Sequence, residues 1–210
     1  MTAFDYIRDP GEITRRSFEI LRAECDVSRL PAGIDEVALR LVHACGMPDI
    51  LPDLAWGGDP VAAGRAALAA GAPVLVDCRM AADGVTRAFL PGGNAVVCTL
   101  NAPEVAARAR AAGVTRAATA VDLWPPRLAG AVVAIGNAPT ALFRLLEILA
   151  AGAPRPAVIL AFPVGFVGAA ESKAALIAAG PEVPYLTLRG RRGGSALAGA
   201  AVNGLARGAA

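Results

Sequence analysis

Five short runs of apolar residues recur along the last two-thirds of the chain, and each has the length of a β-strand. Nearly every position in these runs is apolar, which is typical of strands that helices cover on both faces. The predicted strands are Pro73–Asp77, Ala95–Leu100, Ala131–Ile135, Ala157–Ala161 and Pro184–Leu188.

Ala-rich segments with helical spacing separate and flank these runs. Pro103 is predicted in the first turn of its helix, where a missing N–H costs nothing. Between the strands we expect helices at Asp83–Phe89, Pro103–Ala112, Thr115–Trp124, Thr140–Ala150 and Ala169–Ala179. Before and after them we expect helices at about Gly11–Cys25, Ile34–Cys45, Val61–Ala70 and Gly194–Arg207.

Strand and helix in alternation predict an α/β fold with right-handed connections. We therefore expect a mostly parallel five-stranded sheet flanked by helices, with an N-terminal helical segment. No internal repeat, linker or charge run divides the chain. The prediction is a single domain, 1–210, with a helical lead-in at 1–70 and the sheet portion at 71–210.

The composition excludes several classes of protein. Ala supplies 49 of the 210 residues, and the longest charge-free stretches, Leu128–Phe143 and Pro156–Ala170, have 16 and 15 residues. A membrane-spanning helix needs roughly 18 or more apolar residues in a row, so we expect no membrane association. Met1–Tyr6 has neither the basic head nor the apolar core of a signal peptide. The four cysteines form no C-x-x-C pair, which favours free thiols in a cytoplasmic protein.

The positive charges are almost all arginine: 19 Arg stand against the single Lys173, with a net charge of +2. High genomic G+C content is one explanation of this bias. The other is that guanidinium groups bind carboxylates or phosphates in a fixed geometry that lysine does not match. A near-neutral total argues against nucleic acid as a partner.

Unusual loops follow four of the predicted strands, at the sheet edge where open α/β folds bind ligands. They lead into helix N-termini, which favour anions. Neither G-x-G-x-x-G nor the P-loop pattern occurs, so the loops suit some other anionic ligand better than NAD. The alternative is that their glycines only permit tight turns. The loops are Asp77–Met80, Gly136–Thr140, Phe162–Gly168 and Gly190–Ser195.

His43 is the only histidine and the one ready candidate for proton transfer near neutral pH. Gly46 and Pro48 predict the end of a helix just after it. In a last helical turn the dipole favours a positively charged group by roughly 0.3–1 kcal/mol, which suits a proton donor. Burial against Val42 and Met47 would oppose this effect, and a structural role is the alternative.

Other catalytic systems have little support in the sequence. The nucleophile elbow G-x-S-x-G is absent. Cys45 lies two residues from His43, so the two side chains would point to different faces of a helix. One histidine and no clustered carboxylates predict no metal site. We expect an α/β protein without a cofactor.

Several short segments, spaced along the whole chain, match the motifs of a known protein family. With them, the chain resembles the precorrin-8X methylmutase (precorrin isomerase) family of cobalamin biosynthesis over essentially its whole length. The segments are Tyr6–Pro10, Arg16–Phe18, His43–Met47, Asp77–Met80, Gly84–Arg87, Ala134–Leu142, Pro163–Val167, Glu171–Lys173 and Gly190–Ser195.

The resemblance implies an isomerase that moves a methyl group from C-11 to C-12 of precorrin-8X and gives hydrogenobyrinic acid. The shift is intramolecular, so it implies no methyl donor, nucleotide, metal or other cofactor. The family's histidine falls on His43, which would protonate the ring-C pyrrolic nitrogen and favour the tautomer that undergoes the migration. Members of the family are homodimers with sites near the subunit interface, so we expect a homodimer.

The implied substrate is a corrin-type ring with carboxylates around a flat apolar face. For each arginine the alternative is a solvated surface charge, and for each methionine it is a place in the core. Ala117 stands where many relatives have a serine, which puts a hydroxyl contact there in doubt. The candidates are Arg87, Arg116 and Arg192 for carboxylates; Thr14, Ser17 and Thr86 for hydrogen bonds; Met80 or Met47 against the ring; and Asn137, Gly193 and Ser195 in the loops.

Three alternatives stay open. The same shift on cobalt-precorrin-8, the substrate of the anaerobic route, needs no protein ligand for the metal. A non-catalytic tetrapyrrole carrier would use the arginines without His43. A nucleotide-binding oxidoreductase is disfavoured by the missing fingerprint.

Overall fold

The structure, a computed structural model, describes residues 4–180 and 182–207. Its α-helices are α1 Pro10–Glu24, α2 Ile34–Cys45, α3 Pro60–Ala69, α4 Arg79–Gly84, α5 Val105–Ala112, α6 Arg116–Val121, α7 Pro125–Leu128, α8 Pro139–Ala150, α9 Ala169–Ala179 and α10 Ser195–Arg207. Two 3₁₀ helices lie at Pro48–Asp53 and Arg87–Phe89. The strands are β1 Leu54–Gly57, β2 Val74–Val76, β3 Val96–Cys98, β4 Val132–Ile135, β5 Val158–Ala161 and β6 Tyr185–Leu188.

Within the described residues, six strands form one sheet in the order β1-β6-β5-β4-β2-β3. All neighbours are parallel except β1, which pairs with β6 in the antiparallel sense. Strands β2, β4, β5 and β6 are buried along their whole length, as the continuous apolar runs predict. The predicted α/β class and all five predicted strands are confirmed.

Strand β1 is the element that the sequence analysis missed, so the expected count of five strands was wrong. Its four residues, Leu54–Gly57, are too few for a periodic pattern, and Gly57–Asp59 reads as a turn. The strand is recognisable only through its antiparallel pairing with β6 at the sheet edge. The 1–70 lead-in is therefore not wholly helical, because it contributes an edge strand.

Two of the predicted helices end earlier than the sequence analysis expected. The predicted helix Asp83–Phe89 is α4 followed by a 3₁₀ turn, because the Asn203 side chain binds the backbone of this segment in place of helical partners. The predicted helix Thr115–Trp124 ends early, as α6 at Val121, and the separate helix α7 begins at Pro125, just beyond the predicted range. Pro103 lies in the turn before α5, so its predicted place in the first helical turn was also wrong.

The core lies on both faces of the sheet. Residues of α2, α3, α4 and α10 pack on one face, and residues of α6, α8 and α9 pack on the other. Helix α10 makes its most extensive helix contacts with α2 and α4, so the last helix closes against the N-terminal ones. In the part of the chain that the structure describes, no helix has the length and apolar character needed to cross a membrane.

Asp77, just after β2, uses its carboxylate to join two loops at the sheet edge. Its two oxygens accept hydrogen bonds from the backbone N–H groups of Gly136, Asn137 and Ala138 at 2.7–2.9 Å. Burial raises the pKa of Asp77, while these hydrogen bonds act in the opposite direction. The N–H groups of this loop, predicted to favour an anionic ligand, therefore bind a carboxylate of the chain itself.

Asp77→Asn should destabilise the protein. An amide offers one acceptor oxygen where the carboxylate offers two, so at least one buried N–H would lose its partner. We expect the free energy of unfolding, measured by urea denaturation, to fall by about 1–3 kcal/mol. Asp83→Asn, on the exposed face of α4, is the control and should change it by less than about 0.5 kcal/mol. Equal losses in the two variants would contradict the role given to Asp77.

Candidate active site

His43 lies in the last turn of α2, as predicted. Gly46 ends the helix in the left-handed conformation, with φ 68°, and Pro48 begins the next 3₁₀ helix. Val42 points into the core, whereas the His43 side chain is exposed. The imidazole is therefore open to a ligand rather than packed in the interior.

His43 opens into a cleft of about 410 Å³, which we call the His43 cleft. Its walls come from α1, α2, the segment Gly84–Phe89 and α10. The other residues that line it are Thr14, Phe18, Arg40, Ala44, Gly84, Thr86, Phe89, Ala196, Ala200, Asn203 and Arg207. Both ends of the chain thus contribute to one site.

The ring of Phe18 positions the imidazole. The two ring centroids are 5.1 Å apart and the planes differ by 25°, which is a stacked arrangement. The Arg40 guanidinium carbon lies 5.2 Å from the centroid of the same Phe18 ring. Because Arg40 precedes His43 by three residues, both side chains lie on one face of α2.

Arg40 and Arg207 place two positive charges in this cleft. Burial lowers the pKa of Arg40, and the charge of Arg207 lowers it further, while Glu36 opposes the shift. Among the described residues, neither guanidinium forms a salt bridge. Arg207 lies 4.5 Å above the Phe89 ring instead. Two neighbouring cations without a carboxylate partner favour an anionic ligand between them.

A second cleft of about 730 Å³ adjoins the first and is called the arginine cleft here. It shares Thr14, Phe18, Arg40, Phe89 and Arg207 with the His43 cleft. Its further lining includes two more arginines of α1, Arg22 and Arg15, and two glutamates, Glu36 and Glu19, the second of which is ion-paired with Arg15. The combined space has aromatic surfaces and several positive charges beside one imidazole. It suits a large, flat ligand with acidic substituents.

Asn203 on α10 fixes one wall of the His43 cleft. Its side-chain oxygen accepts a hydrogen bond from the Thr86 N–H at 2.8 Å, and its side-chain nitrogen donates to the Gly84 carbonyl at 2.9 Å. This pair of bonds holds the Gly84–Thr86 segment against α10. The position of Thr86 relative to His43 thus depends on α10.

The structure brings together three of the predicted site residues: His43, Thr14 and Thr86 all line the His43 cleft. Ser17 is half-buried and Arg87 is exposed, and each is next in sequence to a lining residue. Thr14, His43 and Thr86 are therefore the part of the prediction that the geometry gathers at one place.

Two of the predicted carboxylate-binding arginines have partners within the chain. Arg116 donates to two oxygen atoms of the loop that follows β3, at 2.6 and 3.1 Å. Arg192 forms ion pairs with Asp49 and Asp53, each at 2.6 Å. Neither arginine is among the residues that line the His43 cleft.

The remaining predicted residues lie at the carboxyl edge of the sheet. Met80 is 74% exposed on α4, and the Asn137 side chain is exposed. Gly193 lies against the Phe162 carbonyl, where a Cβ atom would come within 2.3 Å of the oxygen. The Ser195 Oγ is 3.1 Å from the Cys78 Sγ, and both side chains are buried. The structure thus leaves these residues outside the His43 cleft.

The sequence analysis missed Phe18, Arg40, Asn203 and Arg207. Arg40 has a signal in the sequence, because a spacing of three residues places it beside His43 on α2. Phe18 has another, because it lies in the segment Arg16–Phe18 that contributes to the family resemblance. Asn203 and Arg207 reach the cleft through the packing of α10, which no local pattern indicates. Within the described residues, no group of three or more His, Cys, Asp or Glu side chains is arranged to hold a metal ion.

An open, mostly parallel sheet with a lone histidine in an arginine-lined cleft defines an α/β protein suited to proton transfer on an anionic ligand. Residues 12–208 match the family model of CbiC, precorrin-8X methylmutase. A precorrin-8X methylmutase of Pseudomonas aeruginosa is 58% identical over 202 residues, which cover 96% of this chain and 97% of that protein.

Two further relatives extend the comparison. A crystal structure of precorrin-8X methylmutase from Thermus thermophilus has a TM-score of 0.87 and 40% identity, covering 95% of this chain and 96% of that one. A cobalt-precorrin-8 methylmutase of Methanocaldococcus jannaschii is 34% identical, covering 79% of this chain and 75% of that protein. The chain therefore belongs to the precorrin-8X methylmutase family, and it is an isomerase of cobalamin biosynthesis.

Proposed function

We propose that the protein moves a methyl group from C-11 to C-12 of precorrin-8X, giving hydrogenobyrinic acid, in the His43 and arginine clefts. The observation that carries the proposal is that His43, the only histidine, opens into a cleft with two cations, Arg40 and Arg207, that form no salt bridge with any of the described residues. A macrocycle with carboxylates on its rim matches this combination of flat aromatic surface and positive charge.

His43 donates a proton to the pyrrolic nitrogen of ring C, which favours the tautomer that undergoes the shift. The methyl group then moves between adjacent carbons of one molecule, so no methyl donor is needed. Because the overall reaction is an isomerisation, the substrate releases one proton for the proton that it receives. Phe18, stacked on the imidazole, holds His43 in place for this transfer.

Substrate carboxylates are bound by arginines of the clefts. Arg40 and Arg207 are suited to the carboxylates nearest His43, and Arg87, next to the lining residue Thr86, to one further out. Thr14 and Ser17 on α1 and Thr86 on the segment Gly84–Phe89 supply hydroxyl groups to the substrate. The remaining candidates, Met80, Arg116, Asn137, Arg192, Gly193 and Ser195, are proposed for parts of the macrocycle that extend beyond the His43 cleft.

The metal-free substrate is favoured over its cobalt-containing counterpart. The relative named for precorrin-8X is 58% identical to this chain, whereas the relative named for cobalt-precorrin-8 is 34% identical. The reaction would be the same on either substrate, since cobalt is held by the macrocycle.

A homodimer in the cytoplasm is the proposed state of the protein. Helix α1 has no buried residue, and large apolar side chains are exposed on it and on the segment before it: Phe4, Tyr6, Ile7, Ile13 and Ile20. A second copy packing on this surface would bury them beside the clefts, because Thr14 and Phe18 lie on the same helix. The cytoplasmic location is supported by four free cysteines among the described residues.

His43→Ala should slow the reaction and leave ligand binding intact. General acid catalysis is typically worth 10²–10⁴-fold, so we expect kcat for precorrin-8X, followed by absorption spectroscopy, to fall by about that factor. Binding of hydrogenobyrinic acid should persist. Cys45→Ala, on the same helix and outside the cleft lining, is the control and should keep full activity. Equal conversion by His43→Ala and the wild type would overturn the proton-donor role. Binding of hydrogenobyrinic acid by both proteins without conversion of precorrin-8X by either would favour a carrier.

Arg40→Gln and Arg207→Gln should weaken binding of hydrogenobyrinic acid. A hydrogen bond to a charged group is worth about 1.5–3 kcal/mol, so each change should raise the product Kd by about 10- to 100-fold in a titration at fixed salt. Arg127→Gln, an exposed residue of α7, is the matched control. If Arg127→Gln weakens binding as much as the cleft variants, the clefts are not the binding site.

Ile13→Glu combined with Ile20→Glu should dissociate the proposed dimer. A charged side chain on each exposed position of α1 would have to be buried without a partner in the interface. Sedimentation equilibrium should give a dimer mass for the wild type and a monomer mass for the double variant. Val114→Glu, which replaces an apolar residue that is 51% exposed elsewhere, should stay dimeric. A monomeric wild type would refute the assembly.

A further inference from the structure

Lys173, the only lysine in the chain, is fully buried on α9. Lysine is almost never fully buried unless it is paired, because removing an ammonium group from water is costly. Its Nζ donates a hydrogen bond to the Arg192 carbonyl at 2.5 Å. Burial lowers the pKa of Lys173 to about 8, and the charge of Asp53 acts in the opposite direction. The family's reaction does not explain why a lysine is buried at this position of α9.

The Arg192 side chain continues this connection to the helix that carries His43. Its guanidinium forms ion pairs with Asp49 and Asp53 and donates a further hydrogen bond to the Asp49 carbonyl at 2.9 Å. Both aspartates lie in the 3₁₀ helix Pro48–Asp53, which begins two residues after the end of α2 at Gly46. These hydrogen bonds raise the pKa of Arg192, so the bridge keeps its charge.

The Arg192 backbone also leads into the opposite wall of the cleft. Helix α10 begins three residues later at Ser195, and its residues Ala196, Ala200 and Asn203 line the His43 cleft. One residue therefore ties the exit of α2 to the entrance of α10. Lys173 holds the backbone at this junction, and the two contacts together are named the Lys173–Arg192 bridge.

We propose that Lys173 is a positioning residue for the isomerase: through the Lys173–Arg192 bridge it sets the spacing between α2 and α10, and so the place of His43 relative to the substrate. This inference rests on the proposed function of His43. Loss of the bridge would shift the imidazole from its productive position. Arg40, on the same helix, would move with it, but its long side chain can still reach a substrate carboxylate. A displacement of about 1 Å can cost about 100-fold in rate.

The test measures turnover and binding separately. In Lys173→Met, which keeps the bulk and removes the donor, we expect kcat for precorrin-8X to fall about 10- to 100-fold and the Kd of hydrogenobyrinic acid to stay within about threefold of wild type. Arg192→Ala breaks the other end of the bridge and should lower kcat by a similar factor. Its product Kd is left out of the comparison, because Arg192 is also proposed to bind the macrocycle. The double variant should be no slower than the slower single variant, because both changes remove one connection.

Leu176→Ala is the matched control, since Leu176 is buried on the same helix and packs in the core on the face of the sheet away from α2 and α10. It should lower Tm and leave kcat unchanged. The proposal is overturned if Lys173→Met keeps kcat within twofold of wild type, if the single losses multiply in the double variant, or if Leu176→Ala slows turnover equally.

Amide hydrogen exchange without substrate separates this inference from the proposed function. In Lys173→Met and in Arg192→Ala, exchange should accelerate together at Ile50–Leu54 and at the first turn of α10. If the wild type does not convert precorrin-8X, the proposed function fails, and the exchange data alone decide whether the bridge exists. Unchanged exchange at both segments would refute it. Lys173→Leu, which also removes the donor, replaces Lys173→Met if that variant does not fold, and the same outcomes apply.

Discussion

The packing of α10 against α2 is the contact on which the candidate site depends. The two helices come from opposite ends of the chain, and each supplies a wall of the His43 cleft. Small residues make the approach possible: a Cβ atom at Gly204 would already lie within 3.3 Å of Val37 and Arg40. Because α2 carries His43 and α10 carries Asn203 and Arg207, the cleft exists only when this contact is formed.

The polar groups of the protein divide into those that join elements and those that face the cleft. Asp77 and Asn203 use their side chains on backbone groups of neighbouring loops, and Arg192 uses its guanidinium on Asp49 and Asp53. Arg40, by contrast, stands in the cleft with Arg207 as a like charge. The hydrogen bonds and ion pairs within the chain hold the walls of the His43 cleft in place. Arg40 and Arg207 are then available to bind an acidic ligand.

The strands could be predicted because parallel strands buried on both faces are continuous apolar runs, and Val132–Ile135 and Val158–Ala161 match that pattern well. The end of α2 could be predicted because Gly and Pro have fixed conformational preferences. Strand β1 could not be predicted, since four residues are too few to show the alternation of apolar and polar positions that marks a strand. The predicted helix Asp83–Phe89 failed because Asn203, more than a hundred residues away, binds that backbone.

For the site, the sequence determined the identity of the one proton-transfer side chain and its place at a helix end, because the chain contains a single histidine and a clear helix stop. The sequence also determined the family, because the segments that carry the resemblance occur in order along the chain. Tertiary structure alone decided which arginines accompany His43: Arg116 and Arg192 bind partners within the chain, and Arg40 and Arg207 line the cleft. A sequence does not distinguish one arginine from another. Only tertiary packing decides which guanidinium groups bind a carboxylate of the chain and which are accessible to a ligand.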